Sequence, residues 1–295
     1  MLMVMILWFC IALWWMSDLI LKPKHLSCEL GFRMEAKLGK FSREYYEKTR
    51  KTRFSALSDF GYLLSCELLE PPTPLSNRVA ILSHGFSHSK YGSLIYAEIF
   101  LQLGYRVIIY DHRNHGLSGK AYTSMGYYEK YDLKNIVDWC VNHFGPEPSI
   151  VTHGESMGAA TVLLHLEIDQ RVSCVIADCA YSDLKELLKH QLRTFYHVPV
   201  FLIPIESLIT YLRAGFWYRE VSPIKIVSRT KVPILFIHGK RDDYVPTRMS
   251  KQMYACKQGK KAIYLVAKAA HAQSCIRNRS GYTKRVEEFL AKHVK

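Results

Sequence analysis

The chain has 295 residues, enough to bury a sizeable core as one large domain or two small ones. With 49% hydrophobic and 22% charged residues it is a globular composition and not a disordered one. The formal net charge of +14 points to an anionic partner, but no zinc-ligand spacing, RNA-binding signature or arginine-rich tract accompanies it. Nucleic acid is therefore not expected, and a membrane surface is the better reading.

Residues 1–16, MLMVMILWFCIALWWM, are uninterrupted apolar residues, and SDLIL carries the run to Leu21 with Asp18 near its end. About 20 residues cross a bilayer, so residues 1–21 are expected to form a transmembrane anchor, with Trp14 and Trp15 at the interface. A cleaved signal peptide would carry a basic leader and a small-x-small cleavage site, and neither is present. No Lys or Arg precedes the run, whereas ten lie between Lys22 and Arg53. That asymmetry predicts a main domain facing the cytoplasm. The eight cysteines are scattered without CxxC spacing, which fits a reducing compartment.

Residues 22–53 read as a charged helical connector. The stretch 53–72, RFSALSDFGYLLSCELLEPP, reads as two strands around the turn signal SDFG. Buried strands follow at 78–86, 106–112, 149–153, 171–181, 232–240 and 261–271, separated by helical patterns at 91–105, 127–145 and 157–167 and closed by a C-terminal helix. Strands alternating with helices predict a mainly parallel, doubly wound sheet covered on both faces. Residues 182–230 interrupt this rhythm with a helix-like insertion rich in Leu, Phe and Tyr. Lying between two late strands, it is expected to cap the C-terminal edge of the sheet, its apolar side facing either substrate or bilayer.

The stretch SIVTHGESMGAA (149–160) places Ser156 between Gly154 and Gly158, after a strand and before a helix. Such a sharp turn strains the serine and leaves no room for side chains at the flanking positions. It is the pattern of a nucleophile elbow, G-x-S-x-G, with Oγ presented at the C-terminal edge of the sheet. A nucleophilic serine needs a base, and the base needs an orienting acid. Asp242 and His271 each follow a strand, in the chain order Ser, Asp, His. The motif ILSHGFS, with His84 and Gly85, follows an earlier strand and offers the N–H of Phe86; the N–H of Met157 would be its partner in an oxyanion hole.

Taken together, HGF (84–86), DHRNHGLS (111–118), GESMG (154–158), HGKRDDYVP (238–246) and AAHAQS (269–274) resemble the α/β-hydrolase superfamily over residues 54–295. Within it the chain is similar to the serine-aminopeptidase-like branch, especially membrane-anchored bacterial hydrolases with a helical cap. The branch pattern has a glycine where this chain has Asn114, a departure in a turn. The resemblance implies an α/β-hydrolase fold with Ser156, Asp242 and His271 as a triad, Phe86 and Met157 as the oxyanion hole, and no metal or cofactor. The spacing H-G-x-x-D-x-x-V-P selects Asp242 over its neighbour Asp243. Asp178 also follows a strand and is expected to cap the next segment, while His84, His112 and His115 hold loops and His153 packs under the elbow. The expected activity is hydrolysis of a small apolar ester; a thioesterase, an aminopeptidase-like amide hydrolase and a catalytically idle membrane-bound scaffold are the alternatives. The first 53 residues carry none of the matching motifs.

Overall fold

The computed structural model describes residues 1–73, 77–145 and 147–294, the side chains of residues 2, 6, 7, 9 and 10 excepted. Eight strands form one sheet: β1 (Arg50–Leu57), β2 (Leu63–Glu70), β3 (Arg78–Ser83), β4 (Arg106–Tyr110), β5 (Ser149–Glu155), β6 (Val172–Asp178), β7 (Ile234–Gly239) and β8 (Lys261–Val266). Their spatial order is β1-β2-β4-β3-β5-β6-β7-β8. β2 runs antiparallel to both neighbours, and every pair from β4 to β8 is parallel.

Residues alternate across the parallel strands, as the two-residue period of a strand requires. Ala80, Leu82 and Val151 face one layer, with helices α4 (Leu94–Gln102) and α11 (Arg279–His293). Val79, Ile81 and Ile150 face the other, with α5 (Glu129–Phe144), α6 (Met157–His165), α9 (Pro223–Val227) and α10 (Arg248–Cys256). Both faces are therefore buried, and the C-terminal ends of the parallel strands share one edge. The insertion between β6 and β7 contributes α7 (Leu184–Gln191) and α8 (Leu202–Ala214), which with α9 cap that edge. The described cysteines are all free thiols.

Three features differ from the sequence reading. The connector holds two short helices, α2 (Cys28–Lys37) and α3 (Arg43–Lys48), but β1 already begins at Arg50, ahead of the expected boundary at 54. β1 is an edge strand in which Ala56 alone is buried, and its first residues, Arg50, Lys51 and Arg53, put charge on both faces, so the start of the strand carries no alternation. Residues 2–21 do form a helix, α1 (Leu2–Leu21). Among the described residues, however, no helix is long and apolar enough to cross a membrane; the expected span rests in part on residues whose side chains lie outside the described set. The C-terminal half of α1 is also committed elsewhere. Leu13, Ser17 and Leu21, spaced by one turn, are buried. Arg213 of α8 donates to the Trp14 carbonyl at 2.8 Å and also binds Ser17 Oγ and Asp18 Oδ1.

Candidate active site

β5 ends at Glu155 and α6 begins at Met157, so the chain reverses on a single residue. Ser156 there has φ +55° and ψ −113°, a conformation that a β-carbon disfavours. The two glycines permit the turn. A Cβ on Gly154 would lie 2.2 Å from the Gly158 carbonyl oxygen, and one on Gly158 would lie 2.1 Å from the Ser83 carbonyl oxygen of β3. The Ser156 N–H donates to the Asp178 carbonyl at 2.9 Å, which ties the elbow to the end of β6.

The loops after β7 and β8 bring two further groups to Ser156. His271 Nε2 lies 2.9 Å from Ser156 Oγ, and His271 Nδ1 lies 2.8 Å from Asp242 Oδ2. Facing a carboxylate, Nδ1 holds the proton, and Nε2 is left to accept one from the serine. Asp242 Oδ1 accepts from the backbone N–H groups of Tyr244 and Val245 at 3.1 and 2.9 Å. Burial alone would raise the Asp242 pKa, but hydrogen bonds from His238 and His271 hold it down at about 2. Burial disfavours a charged His271, yet the Asp242 carboxylate outweighs this and raises the imidazole above its ordinary value. Asp243 points its exposed side chain away, and its carbonyl accepts from His190 Nε2 at 2.6 Å.

Phe86 and Ser156 line one cavity. Gly85 packs so close to the elbow that an added Cβ would lie 3.7 Å from Ser156 Cβ. Met157 opens α6, where N–H groups have no carbonyl of their own helix to bond. Both backbone positions thus flank Ser156. His84 contacts the Gly85 carbonyl through Nδ1 at 2.7 Å and accepts from the His112 N–H through Nε2 at 3.0 Å. His115 contacts the Arg113 carbonyl through Nδ1 at 2.8 Å and accepts from the Ser87 N–H at 3.3 Å. His153 meets Tyr282 Oη at 2.8 Å beneath the elbow. Asn114 has φ +60°, so the turn does demand a left-handed residue, and Asn adopts that conformation more readily than most. Asp178 does not cap the next segment with its side chain. Its Oδ1 accepts from Ser274 Oγ at 3.0 Å, and burial, with Glu155 beside it, pushes its pKa up to about 7.

Two contributions escaped the sequence reading. His238, on β7, places Nε2 3.1 Å from Asp242 Oδ2, so the carboxylate serves two imidazoles. Met16, Leu19 and Ile20 of α1 form part of the cavity wall, although the first 53 residues carry no family motif. The cavity, about 280 Å³, is lined from the cap chiefly by Leu187, Leu188, Leu192, Tyr196, Val198 and Ile203, and Ser156 is part of its wall. A wider groove along Ser182, Lys185, Arg219 and Cys256 includes none of the clustered residues. Among the described residues one set can bring three ligand atoms together, Cys179, Asp242 and His271. It does not suit a metal: burial pushes the Cys179 thiol well above its usual range, and both His271 nitrogens are already engaged.

The geometry can be set beside known proteins. A family model described as the alpha/beta hydrolase fold matches residues 80–199. The Bacillus subtilis protein YqkD is 38% identical over 278 residues, 93% of this chain and 90% of its own length. The chain belongs to the α/β-hydrolase family. More distantly, protein bem46 of Schizosaccharomyces pombe is 24% identical over 86% of this chain and 79% of its own length. Among solved structures, an esterase of Pyrococcus furiosus superposes with a TM-score of 0.71 at 23% identity, over 86% of this chain and 95% of that one. Membership accounts for the sheet order, the antiparallel second strand and the cap inserted after β6; the cavity lining and its use of α1 are properties of this chain's own residues.

Proposed function

We propose that this α/β-hydrolase is a serine hydrolase that cleaves a carboxylic ester with an apolar chain. The observation that carries this reading is the pair of contacts at Ser156, 2.9 Å to His271 and 2.8 Å onward to Asp242, in the wall of a largely apolar cavity. Ser156 Oγ attacks the ester carbonyl carbon while its proton passes to His271 Nε2. The oxygen that gains charge is held by the N–H groups of Phe86 and Met157. The C–O bond to the alcohol breaks, and the alcohol leaves with the proton from His271. Water then attacks the acyl-serine, gives one proton to His271, and the acid departs as that proton returns to Ser156. Asp242 orients the imidazole and favours its charged form throughout.

Labelling with a fluorophosphonate probe, together with hydrolysis of nitrophenyl esters, tests this. Wild-type protein should label and turn over, and Ser156→Ala should lose labelling and at least about four orders of magnitude in rate with its fold intact. Near-normal turnover by that variant would overturn the assignment.

We also propose that α1 attaches the protein to a membrane, with the hydrolase body on the cytoplasmic side. Met3, Val4, Met5, Trp8, Ile11, Trp14 and Trp15 are exposed on α1, and Phe201, Leu208, Tyr211 and Leu212 are exposed at the cap. An apolar surface of that kind is unusual on a free monomer. With its second half docked on α8, the helix suits a shallow, one-leaflet attachment better than a span, and the ten basic residues that follow suit an anionic leaflet. Full-length protein should float with anionic vesicles, and a chain carrying Trp8→Glu, Trp14→Glu and Trp15→Glu should not.

A further inference from the structure

Glu206 is the single acidic residue between Glu186 and Glu220. It sits on α8 and lines the same cavity as Ser156. Only 5% of it is exposed, and its Oε1 has no hydrogen-bond partner among the described residues. The cation nearest in the helix, Arg213, binds Trp14, Ser17 and Asp18 of α1 through its two terminal nitrogens; its Nε has no partner among the described residues, and no hydrogen bond joins it to Glu206 Oε1. Other polar groups of the lining are provided for: Tyr181 donates to the Met125 carbonyl at 2.6 Å, Tyr218 Oη accepts from Thr210 Oγ1 at 3.0 Å, and Gln191 donates to the Tyr244 carbonyl at 3.4 Å. A buried acceptor without a donor is costly, and a leucine would occupy this position without that cost. The orphan oxygen is explained if the donor arrives with the substrate.

We propose that Glu206 accepts a hydrogen bond from a hydroxyl group carried on the apolar chain that fills the cavity, so that the preferred substrate is a hydroxylated ester and not a plain hydrocarbon one. The inference rests on the reading of this cavity as the substrate site of Ser156. A hydroxyl fits better than an ammonium group. Burial pushes the Glu206 carboxyl up to about 7, with Arg213 opposing, so near neutral pH both its forms are populated. Either form offers an acceptor oxygen to a hydroxyl. An ammonium ion would have to shed its own, more strongly held water in an apolar wall, and only the ionised carboxylate would compensate its charge.

The test uses full-length protein and nitrophenyl esters of one chain length, with a hydroxyl scanned along the chain and the unsubstituted and ammonium-bearing esters as references. The ratio of kcat/KM for the hydroxy ester over the plain ester, measured on one protein, cancels losses common to both. At the position that reaches Glu206 this ratio should fall at least about tenfold in Glu206→Leu. Glu206→Gln, which keeps an acceptor oxygen, should retain part of it. A ratio unchanged by Glu206→Leu at every position would overturn the proposal, and so would a Glu206-dependent preference for the ammonium ester over the hydroxy ester. Failure of the hydrolase reading looks different: no ester is turned over and Ser156 does not label. In that event the same contact is read by thermal shift on Ser156→Ala protein. An alkanediol should raise Tm more than the alkanol of equal length, and that excess should vanish when Glu206→Leu is added. Its persistence would overturn the inference.

Discussion

His238 Nε2 lies 3.1 Å from the same Asp242 oxygen that accepts from His271. His238 is fixed in turn, with Nδ1 2.7 Å from Ser250 Oγ and Nε2 2.8 Å from the Val245 carbonyl. The acid is therefore held from below by β7, from its own loop by two N–H groups, and from above by the base. Asp242→Asn breaks this arrangement, because an amide in that position favours the wrong imidazole tautomer. The expected loss in kcat is up to about four orders of magnitude. Asp243→Asn, whose side chain is exposed, should change kcat by no more than a few-fold. Steady-state kinetics on the two variants decide, and the reverse ranking would move the acid by one residue.

The pH profile follows from the same carboxylate. Ser156 is activated only while His271 is neutral, so kcat/KM should fall as pH is lowered through the His271 pKa. Asp242 holds that pKa above the ordinary imidazole value of about 6.5, and the acidic limb should have its midpoint above that value. In Asp242→Asn burial is opposed only by the more distant Glu155 and Asp178, and the midpoint of the residual activity should move downward. A limb that stays in place would mean that another group controls it.

Gly158→Ala tests the elbow through stability. The added carbon would meet the Ser83 carbonyl oxygen at 2.1 Å and the His84 carbonyl oxygen at 2.6 Å, backbone atoms that cannot rotate away. Overpacking of this kind should cost about 3 kcal/mol or more, a fall in Tm of roughly 6 °C or greater by calorimetry. An unchanged Tm would show that β3 and α6 can separate at no cost.

What was legible in the sequence was local. The elbow could be read at 149–160 because strand, turn and helix are contiguous there, and Asp242 and His271 because each follows its own strand. Contacts between distant segments left no such trace. Asp18 and Arg213 are 195 residues apart, and neither stands out: one ends an apolar run and the other sits among many cations. The docking of α1 on the cap, and with it the wall formed by Met16, Leu19 and Ile20, was hidden for that reason. His238 was passed over because its role depends on the turn from β7 folding Asp242 back over it. β1 was read from Arg53 onward, and only its first residues were missed, since the charges of Arg50, Lys51 and Arg53 fall on both faces and break the alternation that identifies strands. Glu206 did carry a signal, a lone carboxylate on an apolar helix, and a search for isolated charges in the insertion would have found it.

The cap separates into two surfaces, and the last prediction concerns which of them meets the substrate. Leu187, Leu188, Leu192 and Ile203 face the cavity, whereas Phe201, Leu208 and Leu212 face outward. A chain entering the inner surface gains about 0.8 kcal/mol for each CH₂ buried, about fourfold in specificity per carbon. kcat/KM for nitrophenyl esters of increasing acyl length should therefore climb over the first few carbons and fall once the cavity of about 280 Å³ is full. Because α1 supplies part of that wall, the protein should be assayed with residues 1–21 in place. Met16→Ala and Ile20→Ala together should flatten the climb at the longer chains and leave the shortest ester nearly unaffected, since shortening these side chains removes wall from the cavity and not from Ser156. Were substrate instead met at the outer surface, the profile would be flat without lipid, vesicles would activate strongly, and the two substitutions would not alter the chain-length dependence. That combination would overturn the cavity as the acyl site.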